Sequence, residues 1–261
     1  MPCGTAACVN EKLPKKSCAA DSAKPVNEPN LEQLIAAARL LRPLLGELVF
    51  VGATVTGLLI TDEAAADPRP TLDVDAIAEI TSCAEYAAFG DRLRALGFRE
   101  DTSEGAPLCR WVHRGTILDV MPLDEKVLGF SNRWYQAAMK SAVTRRLADD
   151  IEIRVVTAPY YIATKLAAFK GRGRGDLFGS RDLEDLISVV DGRAELVAEV
   201  RAEAVDLRAY VRAGIKALLA TPGFLDALPG YLLADAASQS RINIVLRRLQ
   251  EPAYRKNEYP T

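Results

Sequence analysis

The sequence predicts an α+β protein, a mixed sheet with flanking helices followed by a bundle of helices. Three observations predict it. Short apolar runs of strand length recur between residues 48 and 156, separated by segments with helical spacing. Two of these runs are joined by Arg114-Gly115, as in a tight hairpin. From Pro159 onward the chain reads as helix almost without interruption. These features divide the chain into a leader at 1–28, an α/β core at 29–157 and a helical domain at 158–261.

Taken in order, residues 1–28 are rich in Ala, Lys, Pro and Ser and read as a flexible leader. Asn30 with Gln33 three residues later is a capping-box pattern, and Leu31, Leu34, Ile35, Ala38 and Leu41 form the apolar stripe of the helix it opens. Pro43 and Gly46 close that helix. LVFVG (48–52) is a short buried strand stopped by Gly52, and ATVTGLLIT (53–61) runs on as a short helix. A loop rich in Asp and Pro covers 62–70, and LDVDAIAEI (72–80) is the second strand. AEYAAFGDRLRALGF (84–98) is an amphipathic helix with Gly97 as its stop. LCRWVH (108–113) and TILDVM (116–121) pair as the hairpin, SNRWY (131–135) opens a helix, and EIRVV (152–156) is one more strand. Pro159 suits the first turn of a helix that runs to Lys170, where Gly171 ends it. After a loop at 171–180, helices follow at about 182–190, 193–204, 206–220 and 236–250.

Composition narrows the function. The 261 residues carry a formal charge of −2, which argues against a dedicated duplex-DNA binder. No long uncharged apolar run occurs, so no membrane span is expected, and the N-terminal stretch lacks the apolar segment of a secretory signal. The cysteines are Cys3, Cys8, Cys18, Cys83 and Cys109. They are odd in number, with no C-x-x-C pair, as suits reduced thiols and a cytoplasmic location. His113 is the one histidine, which excludes a His-rich metal site; its place beside the Arg114-Gly115 turn suits a structural role.

The stretch RPTLDVDAI (69–77) puts Asp73 and Asp75 one residue apart in a strand, hence on one face and roughly 6–7 Å apart along it. Their charges are either solvated at a strand end or compensated by a cation, and oxygen donors with few His or Cys groups nearby suit Mg²⁺. Asp119 is a third acid in an apolar strand. If 116–121 lies beside 72–80, the three carboxylates converge. Two Mg²⁺ ions about 3.5–4 Å apart would offset them and activate a hydroxyl for attack on phosphorus. Gly52-Ala53-Thr54 turns from strand to helix; it is a plain turn, or its N–H groups hold phosphate oxygens. Lys165 lies among Ile162, Ala163, Leu166 and Phe169 and needs an anion or a path to solvent. Ser180 or Asp182 caps the next helix, with Asp185 one turn on. Lys170, Arg172, Arg174 and Arg181 make a basic loop that grips phosphates or is simply solvated. Trp134 and Tyr135 stack on a base or pack in the core.

Gly52-Ala53, Asp73-Val74-Asp75 and Asp119, in this order, resemble the nucleotidyltransferase superfamily with the polymerase-beta-like fold. FVGATVTGLLITD, RPTLDVDAI, GFSNRWY, APYYIATKLAAFKGRGRGD and SRDLEDLISVVDGR look closest to its AbiEii and MenT toxin-like group, over roughly residues 45–195. The departure is Ala53, where Gly or Ser is usual; Thr54 is the adjacent hydroxyl. The resemblance implies a nucleotidyltransferase-type sheet whose active site the helical domain completes. It implies Mg²⁺ on Asp73, Asp75 and Asp119, and NTP phosphates on Gly52, Ala53, Thr54 and Lys165. Asp182 matches a later active-site acid of that group. The implied acceptor is RNA, such as a tRNA 3′ end, with a cognate antitoxin as protein partner. Transfer of AMP to an antibiotic hydroxyl, and a catalytically silent nucleotide-binding module, are the alternatives.

Overall fold

A computed structural model describes residues 29–172 and 175–254. The leader with Cys3, Cys8 and Cys18, the side chain of Arg172, and Arg174 lie outside the described residues. The first half contains α1 (Pro29–Leu40), β1 (Leu48–Val51), α2 (Thr56–Leu59), β2 (Asp73–Ala78), α3 (Cys83–Ala95), β3 (Arg99–Glu100), β4 (Arg110–His113), β5 (Thr116–Met121), α4 (Glu125–Leu128), α5 (Tyr135–Ser141), β6 (Val143–Ala148) and β7 (Ile151–Val155). Helices then follow one another: α6 (Ala158–Arg172), α7 (Arg181–Gly192), α8 (Leu196–Ala202), α9 (Val205–Ala220), α10 (Phe224–Ala227), α11 (Ala236–Ser240) and α12 (Ile242–Tyr254). The chain is thus α+β, with its strands in one seven-stranded mixed sheet ordered β3-β4-β5-β2-β1-β7-β6.

The centre of this sheet positions the acids. β2 pairs antiparallel with β1 and parallel with β5, so it is flanked on both sides. Arg114 (φ 48°) and Gly115 (φ 85°) both take left-handed conformations between β4 and β5, as a two-residue hairpin of the right twist requires. One apolar cluster runs from Leu34 in α1 to Leu249 in α12 and contains the fully buried Phe50, Trp111 and Tyr161. Among the described residues no helix is long and apolar enough to cross a membrane.

Several expectations need correction. Asn30 and Gln33 make no capping box. Asn30 lies inside α1, and its amide donates to Arg69 O (2.9 Å) while accepting from Thr71 N (3.0 Å). Gln33 donates to Leu72 O (2.5 Å). Both side chains strap the loop that leads into β2. β6 and β3 were not expected: β6 is an edge strand with no buried residue, and β3 is two residues long. The helix expected over 236–250 is two, α11 and α12. Of the two roles left open for Trp134, the structure shows core packing: it is buried against Tyr160 and Tyr210.

Candidate functional site

Side chains at paired positions in a sheet point to the same face. Asp75 is opposite Asp119 in the β2–β5 register, and Asp119 is opposite Arg110 in the β4–β5 register. Asp73 lies two residues from Asp75. The structure therefore gathers Asp73, Asp75, Asp119 and Arg110 on one face, as the sequence implied for the acids. Arg110 was not singled out. Its Nε and Nη2 donate to the two oxygens of Asp119 (2.8 Å each), and Nη2 also donates to Asp73 Oδ2 (3.0 Å). The other oxygen of Asp73 accepts from the Thr71 hydroxyl (2.6 Å). Hydrogen bonding to Asp119 raises the pKa of Arg110, so its charge is permanent. The arginine answers the repulsion that three acids on one face would otherwise carry.

Gly52 lies directly beneath this face. Its φ of 73° with ψ of −166° is a conformation open essentially to glycine alone. A Cβ there would fall 1.9 Å from Asp75 Oδ2, so the carboxylate occupies the space a side chain would need. Residues Ala53–Val55 then form a 3₁₀ turn leading into α2. Thr54 is buried and its hydroxyl lacks a partner, so this side chain points into the protein, and the turn offers backbone N–H groups rather than a hydroxyl.

A second cluster is buried beside α7. Lys165 is 8% exposed and donates to Asp185 Oδ2 (2.5 Å) and Asp182 Oδ1 (3.4 Å). Burial alone would lower the ammonium's pKa, but the carboxylates of Asp185 and Asp182 prevail and leave it raised. Arg69 completes the cluster, with Nη2 donating to Asp185 Oδ2 (3.1 Å) and Nε 2.9 Å from Asp185 Oδ1. Asp185, 1% exposed, is therefore the closer acid to Lys165, ahead of Asp182. Ser180 accepts from Leu183 N (3.3 Å) and caps α7, which leaves the carboxylate of Asp182 for Lys165.

The two clusters are joined by a short stretch of chain. Arg69 holds Asp185, Thr71 holds Asp73, and α1 straps the backbone between them through Asn30 and Gln33. Tyr161 adds a second tie, sharing a 2.5 Å hydrogen bond with Thr56 in α2, just beyond the glycine turn. Of the sequence-singled residues, Asp73, Asp75, Asp119 and Gly52 thus come together. Lys165 and Asp182 form a neighbouring group whose ammonium is already engaged.

Other residues stay out of the chemistry. Burial, followed by the charges of Asp119 and Asp75, pushes the Cys109 thiol up to about 12, so it remains protonated. His113 meets Gly97 O through Nδ1 (2.6 Å) and stacks on Phe98, the structural role expected of it. A cavity of about 470 Å³ lies elsewhere, lined by Glu47, Glu79, Ile80, Glu85, Phe89 and Arg154 where β2 ends.

The donor chemistry of the acid face, all carboxylate oxygen, fits a hard cation. Among the described residues, however, no three His, Cys, Asp or Glu side chains come close enough together to cage one as they stand. Both oxygens of Asp119 and one of Asp73 accept from Arg110, and the other oxygen of Asp73 accepts from Thr71, so a cation here would have to share these acids with the groups that already hold them.

No protein-family model matches the chain, and no curated protein matches it. Among solved structures, the chain is similar to one from H. pylori described as a "putative nucleotidyltransferase", with 11% identity and a TM-score of 0.46, over 87% of this chain and 96% of that one.

Proposed function

We propose that this chain transfers a nucleotidyl group from an NTP to an acceptor hydroxyl. The observation that carries the reading is the acid face: Asp73, Asp75 and Asp119 side by side on the central strands, with Asp75 lying on the glycine turn that follows β1. The N–H groups of that turn would receive phosphate oxygens. Asp73 and Asp75 would hold Mg²⁺, which supplies charge neutralisation of the triphosphate and polarises the α-phosphorus. Asp119 draws the proton from the acceptor hydroxyl. The hydroxyl oxygen forms its bond to the α-phosphorus as the bond to the β-phosphate oxygen breaks, and pyrophosphate leaves. Arg69 and Lys165 hold Asp185, and with it the position of α7, against the strand that carries Asp73. Lys165 reaches a phosphate only when the ligand competes with Asp185 for the ammonium.

The resemblance to the toxin-like group supports RNA, such as a tRNA 3′ end, as acceptor, with a cognate antitoxin partner and a cytoplasmic site of action. Exposed Lys170, in the last turn of α6, and Arg181, at the start of α7, agree with a phosphate-rich acceptor. One observation favours a second reading, a nucleotide-binding module without turnover. Arg110 compensates Asp119 and Asp73 internally, so these acids are stable without a metal ion.

The test is incubation of the full chain with total RNA, Mg²⁺ and each of the four α-labelled NTPs in turn. Labelled RNA with pyrophosphate release, both abolished in Asp73→Ala, is the expected outcome. Labelling that survives Asp73→Ala overturns the reading, and NTP binding without pyrophosphate release favours the second one.

A further inference from the structure

Helix α9 buries Leu207, Val211, Ile215 and Leu218 and turns its other side outward. At 3.6 residues per turn, Arg208, Arg212 and Lys216 form a row along that side, each about 6 Å further along the axis. Arg208 and Lys216 are exposed and Arg212 is half-buried. Val205, Ala209, Ala213 and Ala217 form the next row, all exposed. Beyond that row comes Tyr210, with the exposed guanidinium of Arg133 5.2 Å from its ring centroid and 5.1 Å from that of Trp134. Small side chains therefore lie between cations on two flanks. Among the described residues, none of Arg133, Arg208, Arg212 and Lys216 is in an ion pair. Arg208 gives one N–H to Arg201 O (3.3 Å), while Arg201 itself pairs with Glu251 (3.1 Å). The one acid of α9, Asp206, is in its first turn, where it accepts from Leu207 N (2.9 Å).

Unpaired cations gathered on one face repel one another, and an anion offsets that repulsion. The side chains between them select the anion. No exposed residue of α9 is Trp, Phe or Leu, so the face lacks the apolar area that enters a lipid surface and the large anchors that dominate protein interfaces. Alanines let a backbone come close enough for the flanking cations to reach it, and a strand of repeated phosphates matches a repeated row of cations. The face is also carried on the helix of Lys165. A Cβ on Gly214 would fall 2.8 Å from Leu166 Cδ1, so α9 packs closely on α6 at the residue after that lysine.

We propose that the exposed face of α9, together with Arg133, is a docking surface for the phosphodiester backbone of RNA. The inference rests on the preceding reading for RNA as the acceptor and adds the surface that holds it.

The probe is fluorescein-labelled unfractionated tRNA, titrated with the full chain without NTP or Mg²⁺ and followed by anisotropy over a salt series. Arg208→Gln/Arg212→Gln/Lys216→Gln removes three cations. It is expected to weaken binding about tenfold or more and to flatten the slope of log affinity against log salt by about 2. Arg208→Lys/Arg212→Lys/Lys216→Arg keeps every charge and is expected to bind within about threefold of wild type. Ala213→Glu, at an exposed position, sets a carboxylate between the cations and is expected to weaken binding, which keeps the test decisive if the triple glutamine variant does not fold. No binding by wild type, wild-type affinity and slope in a folded triple glutamine variant, or no effect of Ala213→Glu each overturn the inference. Tighter binding of polyglutamate or of phosphatidylserine vesicles than of tRNA also overturns it, in favour of an acidic protein or a membrane. None of these titrations reads turnover. Transfer RNA held as expected but never labelled keeps this inference and loses the transfer reading; labelled RNA with unchanged binding in the α9 variants does the reverse.

Discussion

At the scale of single residues, the two clusters differ in what holds them. Asp75 needs the absence of a side chain at Gly52, because the carboxylate fills the space a Cβ would take. Asp185 needs two cations, and it is the most enclosed charge in the site, between Lys165 and Arg69. Asp185→Asn leaves Lys165 only its longer contact with Asp182 (3.4 Å) and Arg69 only its longer contact with Glu184 (3.5 Å), and removing one partner of a buried ion pair costs about 3–5 kcal/mol. Urea unfolding is expected to show a loss of that size for Asp185→Asn and a clearly smaller one for Asp182→Asn, whose contact with Lys165 is 3.4 Å. Equal losses would contradict the account of Asp185 as the closer partner. The sequence made Asp73, Asp75 and Asp119 legible because an acid in an apolar strand is locally conspicuous. Arg110 and Arg69 were not, since an arginine on a half-buried strand or loop is ordinary until its partner is known. Those partners are nine residues away for Arg110 in Asp119, 37 for Arg110 in Asp73, and 116 for Arg69 in Asp185.

At the scale of elements, local patterns proved reliable where the element makes its own hydrogen bonds and misleading where tertiary contacts claim the side chain. Ser82 and Glu85 form a full capping box at the start of α3, whereas Asn30 and Gln33, with the same spacing, reach residues about 40 positions away. β6 was illegible because an edge strand lacks the apolar alternation that betrays a half-buried one; its residues Thr144 and Arg146 are exposed. The placement of α7 shows the same dependence on distant partners. Its last turn is clamped by Arg241 of the stretch leading into α12, which donates from Nε to Asp191 (2.8 Å) and from Nη2 to Asp62 (2.6 Å). Thr61 N and Asp62 N both donate to Gly192 O (2.8 and 2.9 Å), which ties the end of α7 to the segment after α2. The hydrogen bond from Arg241 holds the Asp62 carboxyl below its ordinary pKa of 3.8. A carboxyl depressed in the folded state stabilises above its unfolded pKa and loses that contribution as pH falls through the folded value. Asp62→Asn is therefore expected to lower the unfolding midpoint at neutral pH, with the gap to wild type closing as pH falls below 3.8. A gap that persists unchanged in strong acid would contradict this. Asp191 shifts the other way, raised chiefly by burial, so Asp62 is the residue that isolates the effect.

At the scale of the whole molecule, the fold is a means of bringing three separated stretches to one place. The glycine turn after β1, the two acids of β2 and the acid of β5 meet because β2 is central and pairs on both edges. The α+β class and the order of its parts were legible, since strand-length apolar runs give way to helical spacing near residue 157. What the halves share was not, because one apolar cluster spans both and its contacts have no local signature. The protein also offers a rival concavity, the 470 Å³ cavity where β2 ends, with Glu47, Glu79, Glu85 and Arg154 on its wall. The most direct measurement is therefore a crystal structure of the full chain with a non-hydrolysable NTP and Mg²⁺. The account expects the triphosphate against the turn at Gly52 and the ion within bonding distance of Asp73 and Asp75. A nucleotide seated instead in the cavity beside Glu79, with the acid face still closed by Arg110, would contradict it.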